Sequence, residues 1–281
     1  MDLKDYKLVW GDDFNYEGMP DPEKWTFETG NFQWPNKELQ AYSDRSSNIF
    51  VKDGLMTIRS LKEKDGEREY TSAKVTTNGK ACWKYGYFDI RAKFPKGAGS
   101  WPAIWMMPYK KRRPVPEGIP IRSDGRPDFR RFTEEDWKIF PKPPEKDRWP
   151  NCGEIDLVEH LGRRPDSLLF SLHSARHNHQ RQDTVPYTTV VDFEKDFLDD
   201  FHNYSMEWTP DYFEYFVDGV SYCRYNRTDD REDQGYDAWP FDKPFFLILN
   251  TAVGGGLGGP VNDDDLPFEF EIEYVHVYQK E

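Results

Sequence analysis

The residues best placed to do chemistry are three acids within one short run, Gly153-Glu154-Ile155-Asp156-Leu157-Val158-Glu159-His160. On a β-strand alternate side chains share a face, so Glu154 and Asp156 point one way and Ile155 and Leu157 the other. Glu159 has the wrong parity. A regular strand would bury it, and burying an unpaired carboxylate costs several kcal/mol. A β-bulge between Asp156 and Glu159 absorbs one residue and restores parity, so the spacing predicts a bulged strand presenting three carboxylates on one face. Glu154 and Glu159 then stand about four steps apart, ~13 Å between α-carbons at ~3.3 Å per step. Side chains leaning inwards close that gap to the ~5 to 5.5 Å at which one carboxyl can attack a glycosidic carbon while the other moves the proton. Asp156, between them, raises its neighbours' pKa by its charge and can orient Glu154 through a hydrogen bond. The competing reading is a solvated acidic face.

The elements that must position these acids read as antiparallel β. Short β-branched and aromatic runs recur every ten residues or so, separated by Gly, Pro, Asn and Asp. Asn48 to Arg59 turns at Lys52-Asp53-Gly54, and Tyr212 to Cys223 turns at Asp218-Gly219. Tyr85 to Phe94 alternates, and Phe268 to Tyr278 keeps period two for most of its length. Phe132 to Ile139 and Phe193 to Phe201 are candidate short helices. Many short strands and little helix predict a curved, two-sheet antiparallel β-sandwich, a concanavalin-like jelly roll, with an open cleft. The whole chain, 1–281, reads as a single domain. It carries an insertion at about 109–151 that holds 12 Lys or Arg against 8 Asp or Glu and eight prolines. A loop this long in a compact domain is functional or a solvated insertion. Its place between two motifs predicts a loop edging the cleft.

Composition narrows the partner. The 281 residues carry a net charge of −13, which excludes a phosphate-neutralising nucleic-acid face. No run reaches the roughly 18 to 20 apolar residues of a membrane span. Aromatic residues make up 16%, including 10 Trp; about half the tryptophans are expected in the core and half along a sugar-binding groove. Cys82, Cys152 and Cys223 form neither a metal motif nor a disulfide framework, and all three are expected as buried thiols. The start has no basic flank and no apolar run. The expected location is extracellular, periplasmic or cell-surface with a leader removed, with a cytoplasmic one as the alternative. The partner is expected to be a polysaccharide or oligosaccharide and the protein a monomer.

The acidic run resembles the Glu-x-Asp-x-x-Glu signature of glycoside hydrolase family 16 in its bulged, laminarinase-like form. Companion segments are similar too: Trp10-Gly-Asp-Asp-Phe14, Trp25-Thr-Phe-Glu-Thr-Gly30, Asn36-Lys-Glu-Leu-Gln40, Gly99-Ser-Trp-Pro-Ala-Ile-Trp105, Leu249-Asn-Thr-Ala-Val-Gly-Gly255 and Tyr274-Val-His-Val-Tyr278. The resemblance implies retaining cleavage of internal β-linkages, with Glu154 as nucleophile, Asp156 as supporting acid and Glu159 as acid/base. It implies sugar stacking on Trp101 and Trp105, further substrate contacts from Trp34, Asn36, Glu38 and Lys74, and a cleft histidine, His173, near the acid/base. No cofactor is implied for catalysis. A structural calcium is implied at Asp13, Gly54 and Glu273, although its six to eight oxygen ligands are not all visible in the sequence.

Two positions depart from that pattern. Leu257 stands where laminarinase-like members carry Trp, and Lys74 where they carry Arg. The implied substrate is β-1,3-glucan of laminarin type or mixed-linkage β-glucan. An endo-galactanase of agarase, porphyranase or mucin-glycan type is the alternative. The basic insertion, with Arg163, Arg164, Arg176 and Arg181, would suit an anionic galactan. A third reading, a non-catalytic lectin-like module, has no need of three aligned carboxylates.

Overall fold

The computed structural model describes residues 4–110, 114–121, 126–179, 187–229 and 235–281. Two large antiparallel sheets stack face to face, as the strand pattern predicts. One has seven strands in the order Tyr187–Asp192, Ser167–His173, Glu154–His160, Ser100–Pro108, Phe245–Val253, Lys74–Thr76 and Thr26–Phe27. The other runs Val220–Asn226, Tyr212–Val217, His202–Trp208, Gly86–Lys93, Phe268–Lys280, Leu55–Ser60 and Ile49–Lys52, with Tyr6–Asp12 also paired to Phe268–Lys280. A short parallel pair, Gln40–Tyr42 with Tyr70–Ser72, stands apart from both.

The core fills the space between the sheets. Ile104, Met106, Ile155, Phe170 and Leu247 from the seven-stranded sheet meet Phe88, Ile90, Met206, Phe270 and Val275 from the other, all fully buried or nearly so. Burial of this kind contributes ~25 cal/mol per Å² of apolar surface. It also fixes register, because a one-residue slip would turn every inward side chain out. The hairpin turns lie where the sequence puts them. Asp53 and Gly54 have φ of 53° and 80°, and Asp218 and Gly219 have 48° and 76°, the left-handed pair that a two-residue hairpin loop needs.

The helix expectations part ways. Glu134–Ile139 is helical, closed at its start by a capping box in which Thr133 accepts from the Asp136 N–H and Asp136 accepts from the Thr133 N–H. Phe193 to Phe201 forms no α-helix; only Phe197–Asp199 makes a 3₁₀ turn. Asp196, at φ 64°, interrupts the helical backbone there, and the Phe193 and Phe197 rings stack at 4.7 Å across the break. The cysteine expectation needs a correction as well. Cys152 is buried, but Cys82 and Cys223 are half-buried, and all three are free thiols. Among the described residues no helix is long and apolar enough to cross a membrane.

Candidate active site

The strand Glu154–His160 carries the bulge that parity demands. Against Ser167–His173 its register runs Glu154↔His173, Asp156↔Ser171, then Glu159↔Leu169. Against Ser100–Pro108 it runs Asp156↔Trp105, Val158↔Ile104, Glu159↔Ala103. Leu157 and Val158 both enter the core, and Glu154, Asp156 and Glu159 all line one cleft of about 1200 Å³.

The acids are crowded, with Asp156 buried and Glu154 and Glu159 half-buried. Asp156 is 3% exposed. Burial, then the charge of Asp156, pushes the Glu154 carboxyl up to about 8. Burial alone pushes Asp156 to about 8. Burial and the Asp156 charge raise Glu159 to about 7, opposed by a hydrogen bond that Trp101 Nε1 donates to Glu159 Oε1 at 2.9 Å. Three such carboxyls cannot all ionise together, so at neutral pH the cluster holds protons beside ionised acid. Catalysis uses the microstate in which Glu154 carries the charge and Glu159 the proton. His173 stands close enough to Glu159 to act on its carboxyl and also faces the other two acids. Its Nε2 lies 3.1 Å from Asp156 Oδ2 and 3.9 Å from Glu154 Oε1, because the register places it opposite Glu154.

Trp34, Asn36, Glu38, Lys74, Trp101 and Trp105 line the same cleft. Trp101 is 8% exposed and packs on Leu161, Leu169 and Ala252, so its indole positions Glu159 more than it offers a face. Trp105 is half-buried and donates from Nε1 to Asn250 Oδ1 at 2.6 Å. Lys74 Nζ stands 4.7 Å from the Trp105 ring centroid and 5.3 Å from that of Trp34. Glu38 Oε2 already accepts from Gln40 at 2.8 Å and from Tyr42 at 3.4 Å, and burial raises its pKa. Trp25, Trp83, Trp208 and Trp239 are core residues, whereas Trp34, Trp101, Trp105 and Trp149 line the cleft. The even split expected of the tryptophans is close to what these eight show.

Several cleft residues escaped the sequence reading. Glu28 is buried against Lys74 Nζ at 3.1 Å and against the Arg126 guanidinium. Burial would raise its carboxyl, but the two cations outweigh that and hold it at about 2. Asn250 was detectable as a polar residue within the otherwise apolar start of Phe245–Val253. Trp149 gave no signal; its ring lies 6.0 Å from His173 and 5.4 Å from His179. The insertion does edge the cleft, through Lys110, Val115, Arg126, Phe129, Phe140 and Trp149 among others. Arg163 and Arg164 do not line it: Arg163 Nε donates to Leu257 O at 2.8 Å and Arg164 pairs with Asp192 at 3.3 Å. Arg176 is also outside the lining, and Arg181 lies outside the described residues.

On the other sheet, Asp13, Gly54 and Glu273 share a small depression with Asn15, Asp53 and Tyr274. Its oxygen-rich lining fits the chemistry of calcium. Each named carboxylate already commits one oxygen, Asp13 Oδ1 to His276 Nε2 at 2.7 Å and Glu273 Oε2 to Arg91 Nε at 2.8 Å.

Similar proteins agree with this geometry. The model of glycosyl hydrolases family 16 matches residues 141–275, and that of the beta-glucan synthesis-associated proteins SKN1/KRE6/Sbg1 matches residues 1–114. A beta-glucanase of Rhodothermus marinus is 38% identical over 284 residues, spanning 98% of this chain and 85% of its own length. The X-ray structure of the laminarinase from Rhodothermus marinus superposes with a TM-score of 0.79 at 36% identity, covering 98% of each chain. A keratan-sulfate endo-1,4-beta-galactosidase of Sphingobacterium multivorum is 31% identical over 286 residues, spanning 98% of this chain and 56% of its own.

Proposed function

The chain belongs to glycoside hydrolase family 16, and from that premise we propose that it hydrolyses internal β-1,3 linkages of a laminarin-type or mixed-linkage glucan with retention of configuration. The observation that carries the reading is the bulge, which brings Glu154, Asp156 and Glu159 onto one buried cleft floor. Glu154, ionised, attacks the anomeric carbon while Glu159 gives its proton to the departing glycosidic oxygen. The Glu154 ester then yields to water, whose proton returns to Glu159. Asp156 stands between Glu154 and Glu159, 3.1 Å from His173 Nε2, where it orients the nucleophile. The half-buried Trp105 ring, with Lys74 beside it, suits the apolar face and hydroxyls of a pyranose ring.

Three of the insertion's eight described cations are paired within the protein, which favours a neutral glucan over an anionic galactan. Arg126 pairs with Glu28, Arg130 with Asp128 and Lys138 with Glu135. The charge of these three is met within the protein. We also propose that the depression at Asp13, Gly54 and Glu273 takes a structural calcium, through the carboxylate oxygens outside the two ion pairs. Reducing-end release from laminarin, mixed-linkage glucan, agarose, porphyran and mucin glycans tests the substrate. Turnover on the glucans alone is expected; turnover on a galactan alone would overturn it.

A further inference from the structure

Two carboxylates and an imidazole converge at one end of the acid row. Glu154 and Asp156 share a face of their strand, and the register sets His173 opposite Glu154 on the neighbouring strand. His173 Nε2 lies 3.1 Å from Asp156 Oδ2 and 3.9 Å from Glu154 Oε1. One nitrogen or oxygen from each of the three side chains falls within 4.8 Å of the other two, and among the described residues no other trio of His, Cys, Asp or Glu does so.

The contacts inside this trio are not those of a hydrogen-bonded set. Asp156 is 3% exposed, and its Oδ2 makes no hydrogen bond despite the imidazole 3.1 Å away. The axis along which Nε2 donates or accepts therefore misses that oxygen. A buried acceptor left without a partner costs ~1 to 3 kcal/mol. Two ligands of one zinc ion, bonded at ~2.0 to 2.1 Å in a tetrahedron, stand roughly 3.3 Å apart. Each then aims its lone pair at the ion and past the other ligand. His173 Nε2 and Asp156 Oδ2 already have that relation, and the longer Glu154 side chain closes the remaining gap by rotating. A dication between two carboxylates also offsets their mutual repulsion. Glu154 and Asp156 both line the cleft, which gives an ion its entry and leaves a fourth position for water. Ligand type selects the ion: one imidazole with two carboxylates suits zinc or copper(II), whereas calcium takes six to eight oxygens.

We propose that Glu154, Asp156 and His173 form a site for a transition-metal dication, zinc above all, and that the bound ion silences the enzyme by tying up the nucleophile. The silencing deepens the glucanase reading and rests on it, because a carboxylate oxygen held by zinc cannot attack a sugar; the site itself rests on the geometry alone. His173 Nδ1 is buried without a hydrogen-bond partner. Histidines of resident zinc sites almost always have one, so the ion here exchanges with solution.

Calorimetric titration of the metal-free protein with zinc tests the site. The intact protein is expected to take up one more zinc ion per chain than His173→Asn, a difference that a metal in the depression at Asp13 and Glu273 cannot produce. Cobalt(II) in the same place should show the strong visible absorption of a tetrahedral ion, absent from His173→Asn. Laminarin turnover is expected to be lost in saturating zinc and to return with EDTA. Asp156→Asn removes a charged ligand and should weaken the uptake about tenfold or more. It gives an independent reading should His173→Asn fold poorly; a thermal melt of each variant decides that. Equal uptake by the intact protein and the folded variants overturns the site. That ion bound with turnover unchanged overturns the silencing. If the metal-free protein cuts no laminarin, the glucanase reading and the silencing fail together, while zinc uptake still decides the site.

Discussion

Glu154→Gln should make the protein more stable as it makes it inactive, and the gain should depend on pH. Burial and the Asp156 charge hold the Glu154 carboxyl at about 8, against an ordinary 4.5. Between those values the folded chain keeps a proton that the unfolded chain has released, so stability falls as pH rises. At about 1.4 kcal/mol per tenfold in proton affinity, this rise caps the cost of the Glu154 charge at ~5 kcal/mol. Part of that repulsion belongs to Asp156 and Glu159, which relax once Glu154 is neutral. Attributing about half to them leaves a gain of ~2 kcal/mol. For a chain of this size each kcal/mol moves the melting temperature by roughly 2 to 3 °C. Glu154→Gln should therefore melt ~4 to 6 °C above the parent at about pH 8.5 and within about 1 °C of it near pH 4.5. Calorimetry across that range measures both ends. An equal gain at both pH values, or none at the alkaline end, would refute the claim that these acids are held protonated by burial.

Three further outcomes are expected. With an activated β-glucoside, azide should rescue Glu159→Ala to a β-azide and Glu154→Ala to an α-azide; rescue of neither, or the same anomer from both, contradicts the assigned roles. Trp101→Phe removes the hydrogen bond that lowers the Glu159 pKa, so the alkaline limb of the rate profile, where a proton donor is lost, should move to higher pH while laminarin KM changes less than about twofold. Because Arg126, Arg130 and Lys138 are internally paired, raising salt from about 50 to about 500 mM should change KM by less than about twofold; a steep rise would restore the anionic substrate.

Local signals carried much of this molecule. The Asp53-Gly54 and Asp218-Gly219 turns were readable because only residues tolerant of positive φ suit them. The bulge was readable because a buried, unpaired Glu159 would be too costly. What escaped depends on contacts between distant segments. Glu28 and Arg126 are 98 residues apart, and nothing in either neighbourhood announces the other. Trp149 meets His173 and His179 at tilted angles, and its own sequence context mentions neither. Phe193 to Phe201 had helical spacing, but the left-handed backbone of Asp196 and the stacking of its two phenylalanines overrode a weak local preference. His173 was legible as a histidine near the acid/base, but only strand pairing reveals that it also lies opposite Glu154 and 3.1 Å from Asp156.

The bulge also sets what a change of length would do. Leu157 and Val158 are both fully buried in the core, where a regular strand would deliver one inward side chain. Losing Leu157 would leave Glu-Ile-Asp-Val-Glu, a plain alternation that still shows three acids to the cleft. The penalty would fall on the other side of the sheet, as a leucine-sized void worth ~3 to 5 kcal/mol, while the two glutamates stay four strand steps apart. The strand thus counts odd and even rather than residues. A frame of three acids can survive a deletion that its hydrophobic neighbours cannot absorb, so drift in the spacing of this motif is limited by core volume before it is limited by chemistry.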